Sequence, residues 1–267
     1  MKKLLLYPVI FLVLISSCKK DDAPASKNLL DKVVTKVGAD STVTTYSYDA
    51  QNRFVRESTN DPVNNETSSV NLIRDNNGRV TKLIDEVIGS SSESTTTDFF
   101  YLSPSDARLR NGKTIYTDLG VILKDSIAYE YSGNQVTRTN HYYSENNGPY
   151  VMYDYYAYTY DSRNNVSSVK YYVLGSGGTN FELYATITYT YDDKINPIYS
   201  KDDALMEYIG NQYVSPNNVT SLTYTDPSSP ADNFTANVTY EYRSDGRPIK
   251  STTTALGSSS VSTYSYK

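Results

Sequence analysis

The sequence predicts an all-β fold, an antiparallel meander of β-hairpins that closes into a strongly curved sheet or barrel of about 14–16 strands. Three observations lead there. The 267-residue chain holds 28 Tyr, 6 Phe and no Trp, with abundant Ser and Thr, a composition that favours pleated, half-buried strands over helices. One hairpin-shaped motif recurs along the chain. Hairpin after hairpin stacks as a meander, and so many strands twist and curl.

The elements follow in chain order. Lys2 and Lys3 precede an apolar run from Leu4 to Ile15, too short for a transmembrane helix, which needs ~20 residues. Ile15-Ser16-Ser17-Cys18 resembles a bacterial lipobox, and Cys18 is the sole cysteine of the chain. Residues 1–17 therefore read as a lipoprotein signal peptide and 18–29 as a lipidated Cys18 with a flexible tether. Acyl chains on Cys18, palmitate among them, anchor a protein stably through ~0.8 kcal/mol per buried CH₂. Lys19-Lys20-Asp21-Asp22 resembles the surface-export signal of Bacteroidota-type lipoproteins. An ordinary secretory signal followed by a solvated charged linker is the alternative.

Residues 30–267 read as a single domain. Its motif is Tyr-x-Tyr-Asp-x-x-Asn/Gly-Arg-aliphatic. It runs from Tyr46 to Phe54, from Tyr158 to Val166 and from Tyr240 to Pro248, with weaker copies at 72–80, 129–136 and 189–197. Two tyrosines at i and i+2 share one face of a strand. Asp followed by Asn or Gly supplies the turn, and Arg-aliphatic opens the return strand. Strands are expected at 31–37, 41–49, 53–59, 67–74, 79–88, 95–102, 112–119, 121–131, 135–143, 150–160, 166–173, 181–191, 219–226, 234–242, 248–255 and 260–266. Residues 192–218 break the rhythm and read as a long irregular loop with a helical turn at Ala204–Ile209. A structureless loop of that length is often functional.

The hairpin motif resembles the YD (RHS-like) repeat. Together with the lipobox and the late block Tyr191-Asp192-Asp193-Lys194-Ile195-Asn196-Pro197 and Ser215-Pro216-Asn217-Asn218-Val219, it is similar to a Bacteroidota family of secreted or surface lipoproteins of unknown function. That resemblance implies a porin-like β fold. It implies no catalytic residue. A lipid-embedded pore would need a continuous apolar band on the outside, whereas the outward candidates here are Ser, Thr and Tyr.

Composition narrows the chemistry. A net charge of −5 is a poor match for nucleic acid. One Cys and one His exclude His/Cys zinc clusters and route any Ser-His-Asp chemistry through His141. No orienting carboxylate stands near His141 in sequence, so it reads as structural. Asp192-Asp193 and Asp202-Asp203 are oxygen pairs of the kind calcium uses, without an EF-hand spacing. We expect no catalytic residue, no metal and no cofactor.

The tyrosines carry the strongest binding signal. Tyr153, Tyr155, Tyr156 and Tyr158 crowd one strand, and exposed aromatic patches mark binding surfaces. Tyrosines stand there on both parities, so some must face out. Ser41 and Ser126 lie in Asp-Ser-Thr and Asp-Ser-Ile tripeptides that resemble an O-glycosylation motif of the same bacterial group. The expected protein is a surface-exposed outer-membrane lipoprotein, a non-catalytic binding module for an extracellular ligand such as polysaccharide, engaged through Tyr-lined strands and the 192–218 loop. The alternative is a structural or protein–protein component of the cell envelope. Its partners would be the lipid anchor in the outer membrane and a glycan or protein ligand.

Overall fold

The computed structural model describes residues 28–89, 92–118, 121–208 and 210–267. The signal peptide, Cys18 and most of the tether lie outside the described residues. The first eight strands are β1 (Leu30–Val37), β2 (Asp40–Tyr48), β3 (Phe54–Asp61), β4 (Glu66–Arg74), β5 (Val80–Ile88), β6 (Glu93–Tyr101), β7 (Leu109–Asp118) and β8 (Val121–Ser132). The second eight are β9 (Gln135–Glu145), β10 (Val151–Tyr160), β11 (Val166–Leu174), β12 (Phe181–Ile195), β13 (Asn217–Thr225), β14 (Phe234–Tyr242), β15 (Pro248–Ala255) and β16 (Ser258–Tyr266). Each pairs antiparallel with its chain neighbours, and β16 returns to β1 with Tyr264 opposite Val33. The sheet is a closed barrel of sixteen strands, which leaves no unpaired edge.

The two rims differ. The motif turns β2–β3, β4–β5, β10–β11 and β14–β15 share one rim, and β1 begins and β16 ends there. In the first, Asp49 Oδ1 accepts from the backbone N–H of Gln51 and Arg53, both at 2.9 Å, while Oδ2 takes Arg53 Nε at 2.7 Å. Asp75 and Asp161 repeat the backbone pattern. The left-handed position of each turn is held by Asn52 (φ 60), Gly78 (φ 85), Asn164 (φ 67) and Gly246 (φ 82), residue types that tolerate positive φ. A register shift lies at the third motif position, Tyr48, Arg74, Tyr160 and Tyr242, just before each turn. It is a β-bulge.

The bulged rim also accounts for the choice of Tyr over Phe. The hydroxyls of Tyr101, Tyr160, Tyr191, Tyr240 and Tyr266 donate to the backbone carbonyls of Val80, Val136, Val166, Val219 and Pro248, at 2.7–3.0 Å. Each acceptor lies at or near the start of the strand preceding its Tyr in the barrel wall. The ring fills the lumen while the hydroxyl satisfies a buried carbonyl, which costs about 1–3 kcal/mol when left unpaired.

The segment between β12 and β13 folds into this rim as a plug. It carries α1 (Leu205–Tyr208) and a 3-10 turn at Asn211–Val214. Leu205 and Tyr213 are 0% and 2% exposed, packed with Tyr46, Phe54, Tyr129 and Tyr158 of the wall. Arg74 binds Asp202 in a two-pronged ion pair at 3.0 and 2.7 Å. Tyr131 donates to Asp203 at 3.0 Å, and the Tyr213 hydroxyl donates to Glu57. Burial lifts Glu57 to a pKa of about 7. Burial, and then repulsion from Asp202, lift Asp203 to about 6 against the Tyr131 hydrogen bond. The segment expected as a long irregular loop with a helical turn therefore folds into the lumen. Its first residues extend β12, its last begin β13, and its middle buries enough apolar surface to be core.

Register sorts the remaining side chains. Tyr46, Glu57, Tyr131 and Tyr158 touch the plug or its core, so their parity faces the lumen and the other faces out. The outer parity of β14–β16 is Asn237, Thr239, Glu241, Lys250, Thr252, Val261 and Thr263, with Lys250 paired to Glu241 at 2.7 Å. Ile73, Ile88, Phe100, Ile115, Ile122 and Leu183 are exposed on the outer parity of β4–β8 and β12. The barrel is thus tyrosine-rich inside and hydroxyl-rich across much of its outside.

Candidate functional site

The half of the lumen away from the plug is a chamber of about 720 Å³, walled chiefly by β6–β10. Ligand pockets typically span ~300–1,000 Å³. Cross-strand register builds its centre. His141 on β9 stands opposite Asp154 on β10, with Nδ1 3.1 Å from Asp154 Oδ1. Tyr171 on β11 donates to the other oxygen at 2.9 Å. Asp154 is 5% exposed, and a carboxylate so buried is held by its partners. It holds a proton on His141 Nδ1, facing Oδ1. Burial first, and then the Asp154 contact, push the Tyr171 hydroxyl up. The orienting carboxylate that sequence did not reveal for His141 is therefore Asp154, brought across a hairpin. On β8, Asp125 accepts a hydrogen bond from Tyr116, and burial raises its pKa against that bond and the nearby His141.

Solvent reaches this chamber. Tyr116, Tyr143, Tyr153 and Tyr184 face inward yet are 36–46% exposed, whereas Tyr46, Tyr129 and Tyr158 in the plugged half are 6–7% exposed. Tyr153 meets His141 and Tyr143 edge-on, with centroids 6.1 and 5.8 Å apart. Its place comes from a β-bulge between Met152 and Asp154. The bulge turns Tyr153 and Asp154 to the same side, where strict alternation would have separated them.

The four tyrosines expected to bind ligand do not form one platform. Tyr158 is buried beside Thr139. Tyr156 faces inward, with one face stacked on Tyr171 at 4.5 Å and His141 at 5.2 Å. Tyr155 faces outward between the Arg138 guanidinium, 3.6 Å from its ring centre, and Tyr172, stacked at 4.5 Å. Both faces of that ring are covered. Only Tyr153 presents its ring to the chamber. Sequence reasoning missed Tyr116, Tyr184 and Asp125 as parts of this site. The signal available was the doubled parity of Tyr in 150–160, which marks the bulge.

The other candidates have structural partners. Asp202 is held by Arg74. Asp192 accepts from Lys194 N, from Asn218 N at 3.2 Å and from the Tyr242 hydroxyl. Among the described residues, no group of three or more His, Cys, Asp or Glu is arranged to hold a metal. Ser41 pairs with Lys36 and Ser126 with Lys113 on the outer register, both partly exposed. No helix among the described residues is long and apolar enough to cross a membrane.

No protein-family model matches the sequence, and no curated protein matches it. Two solved structures are similar in fold. One is a porin-like protein from Bacteroides vulgatus ATCC 8482, with a TM-score of 0.55 at 11% identity over 90% of this chain and 99% of that one. The other is a porin-like protein from Bacteroides uniformis ATCC 8492, with a TM-score of 0.50 at 11% identity over 91% of this chain and 98% of that one. At that identity the likeness is one of architecture. This chain, a closed barrel, is similar in fold to those porin-like proteins.

Proposed function

We propose that the protein is a non-catalytic binding module, anchored to the outer membrane through lipidated Cys18, that takes an extracellular ligand such as a polysaccharide segment into the open half of its barrel. One observation carries this reading: inward tyrosines that remain solvent-open around the buried His141–Asp154 pair. Sugar rings stack on such faces, and the carboxylates and hydroxyls beside them accept and donate to sugar hydroxyls. The hydroxyl- and charge-rich outer face of β14–β16 supports a barrel standing in water rather than in lipid, where a continuous apolar band would be required. Strand β1 starts at the plugged rim, so a tether from Cys18 would hold that rim toward the membrane and aim the chamber outward.

The test is binding of a polysaccharide panel, read by tyrosine fluorescence, which no Trp obscures. Saturable binding lost in Tyr153→Ala and Tyr116→Ala, and kept in Tyr155→Ala, supports the chamber. Equal loss in Tyr155→Ala moves the site to the outer wall. Absence of binding across the panel rejects the glycan reading. The anchor has its own test: palmitate labelling that disappears in Cys18→Ser, and cleavage by protease added to intact cells.

A second reading, an envelope component acting by protein contact, is favoured by the outward ladder of Arg138, Tyr155, Tyr172 and Phe181. A stable crosslinked partner lost in Tyr172→Ala would support it.

A further inference from the structure

We infer that the open chamber selects ligands bearing a protonated amine, and that Asp125 is the residue that selects them. The inference deepens the binding reading above and rests on it. It starts from how the two halves of the lumen handle charge. In the plugged half, the carboxylate of Asp202 is matched by the guanidinium of Arg74, whose side chain is 7% exposed. In the open half, inward register positions hold Asp85 opposite Thr95 and Asp125 opposite Thr114, and Glu93 lines the chamber. The lysines of these strands fall on the other parity. Lys82 pairs with Asp98 at 3.0 Å on the outside. Lys113, Lys124 and Lys170 stand opposite Ser126, Ile115 and Ala157 on the outer register. Among the described residues that line the chamber there is no Lys or Arg, and His141 is the basic residue there.

Asp154 is committed to His141 and Tyr171. Asp125 accepts from the Tyr116 hydroxyl, which orients the carboxylate, and the nearby basic group, the His141 imidazole, is already engaged by Asp154 through Nδ1. Around it stand the rings of Tyr116 and Tyr153, whose faces attract a cation that has left bulk water. A carboxylate aimed into a tyrosine-walled chamber whose one basic neighbour is shared with Asp154 fits an ammonium group on a sugar or similar polar scaffold. The same field repels uronate or sulfate groups.

The experiment compares three oligosaccharides of equal length on the full lipidated chain in detergent micelles, buffered below the amine pKa. They are the glucosamine oligomer, its fully N-acetylated form and an oligogalacturonate. The expected order of affinity is cationic, then neutral, then anionic, with about tenfold between the first two. That ratio should shrink to below about threefold in Asp125→Asn, and with added salt. Glu93→Gln at the rim is the second variant and should reduce the ratio less. Using a ratio keeps the result readable if a variant lowers binding overall. Equal affinity for cationic and neutral forms, or an unchanged ratio in Asp125→Asn, overturns the inference and leaves the chamber reading standing. Failure of all three to bind while the polysaccharide panel also fails removes both. Preference for the anionic form overturns the charge argument outright.

Discussion

The two halves of the lumen are built from the same residue type and treat it in opposite ways. In the plugged half, tyrosine is core. Tyr46, Tyr129, Tyr158 and Tyr213 are 2–7% exposed, and a ring of motif tyrosines tethers its hydroxyls to wall carbonyls. In the open half, Tyr116, Tyr143, Tyr153 and Tyr184 keep more than a third of their surface in water. The difference is one insertion. Sixteen short strands enclose a lumen too wide for wall side chains to fill, so the plugged half borrows Leu205, Met206 and Tyr213 from the β12–β13 segment. Where the plug ends, the same tyrosines become a lined space.

This contrast can be broken at its strongest point. Leu205→Ala removes a fully buried side chain from the plug and should cost about 2–5 kcal/mol, seen as a lowered Tm. The tyrosines of the plugged half should then gain near-UV signal change on heating before the rest of the barrel melts. A cost below about 1 kcal/mol would mean that the barrel stands without its plug.

Glu57 sharpens the comparison through pH. Its folded pKa of about 7 lies above the usual 4.5, so the folded state holds the proton more tightly. Stability is fullest below the unfolded value, falls as pH rises between those two, and is flat above the folded value. Asp203, raised to about 6, slopes the same way. Glu57→Gln keeps an acceptor for Tyr213 and removes the penalty, so it should stabilise the protein by about 2 kcal/mol above neutral pH and do little in acid. Denaturant midpoints across the range decide it. A gap between Glu57→Gln and wild type that shrinks from acid to neutral pH would contradict the sign.

Tyr160→Phe tests the hydroxyl tethers. It keeps the ring and strands the Val136 carbonyl, for about 1–2 kcal/mol. Tyr155→Phe on the outer wall should stay within about 0.5 kcal/mol. The open half should separate stability from binding. Tyr153→Ala should shift stability by under about 1 kcal/mol while removing ligand binding, because its ring is solvent-open. A large loss of stability there would make Tyr153 core, and the halves alike.

Much of the barrel was legible in the residues themselves. The sixteen expected strands lie within a few residues of those observed, because Asp-x-x-Asn/Gly turn chemistry and period-2 patterning are local. Asp49, Asp75 and Asp161 each cap the loop that follows them, and such a signal needs no distant partner. The candidate site was legible in part. Tyr153 and His141 were visible as residues, and their setting was not. Whether a tyrosine binds, buttresses or packs depends on which neighbour covers its ring. Tyr155 and Tyr156 are adjacent in sequence, and they stack on Tyr172 and Tyr171 on opposite sides of the wall.

The sequence by itself determined a meander of tyrosine hairpins behind a lipobox-like leader, since turns and alternation are written in consecutive residues. Only the tertiary structure decided three things: that the last strand closes on the first, that the 192–218 segment turns inward, and that Asp154 reaches His141. Closure depends on the summed twist of all the strands, and the plug on a cavity that exists only once the barrel has closed. The Asp154 contact depends on the cross-strand register of β9 and β10, and the place of Tyr153 beside it on a one-residue bulge. Each joins residues that local chemistry leaves independent, and each therefore appears only when the whole chain is folded.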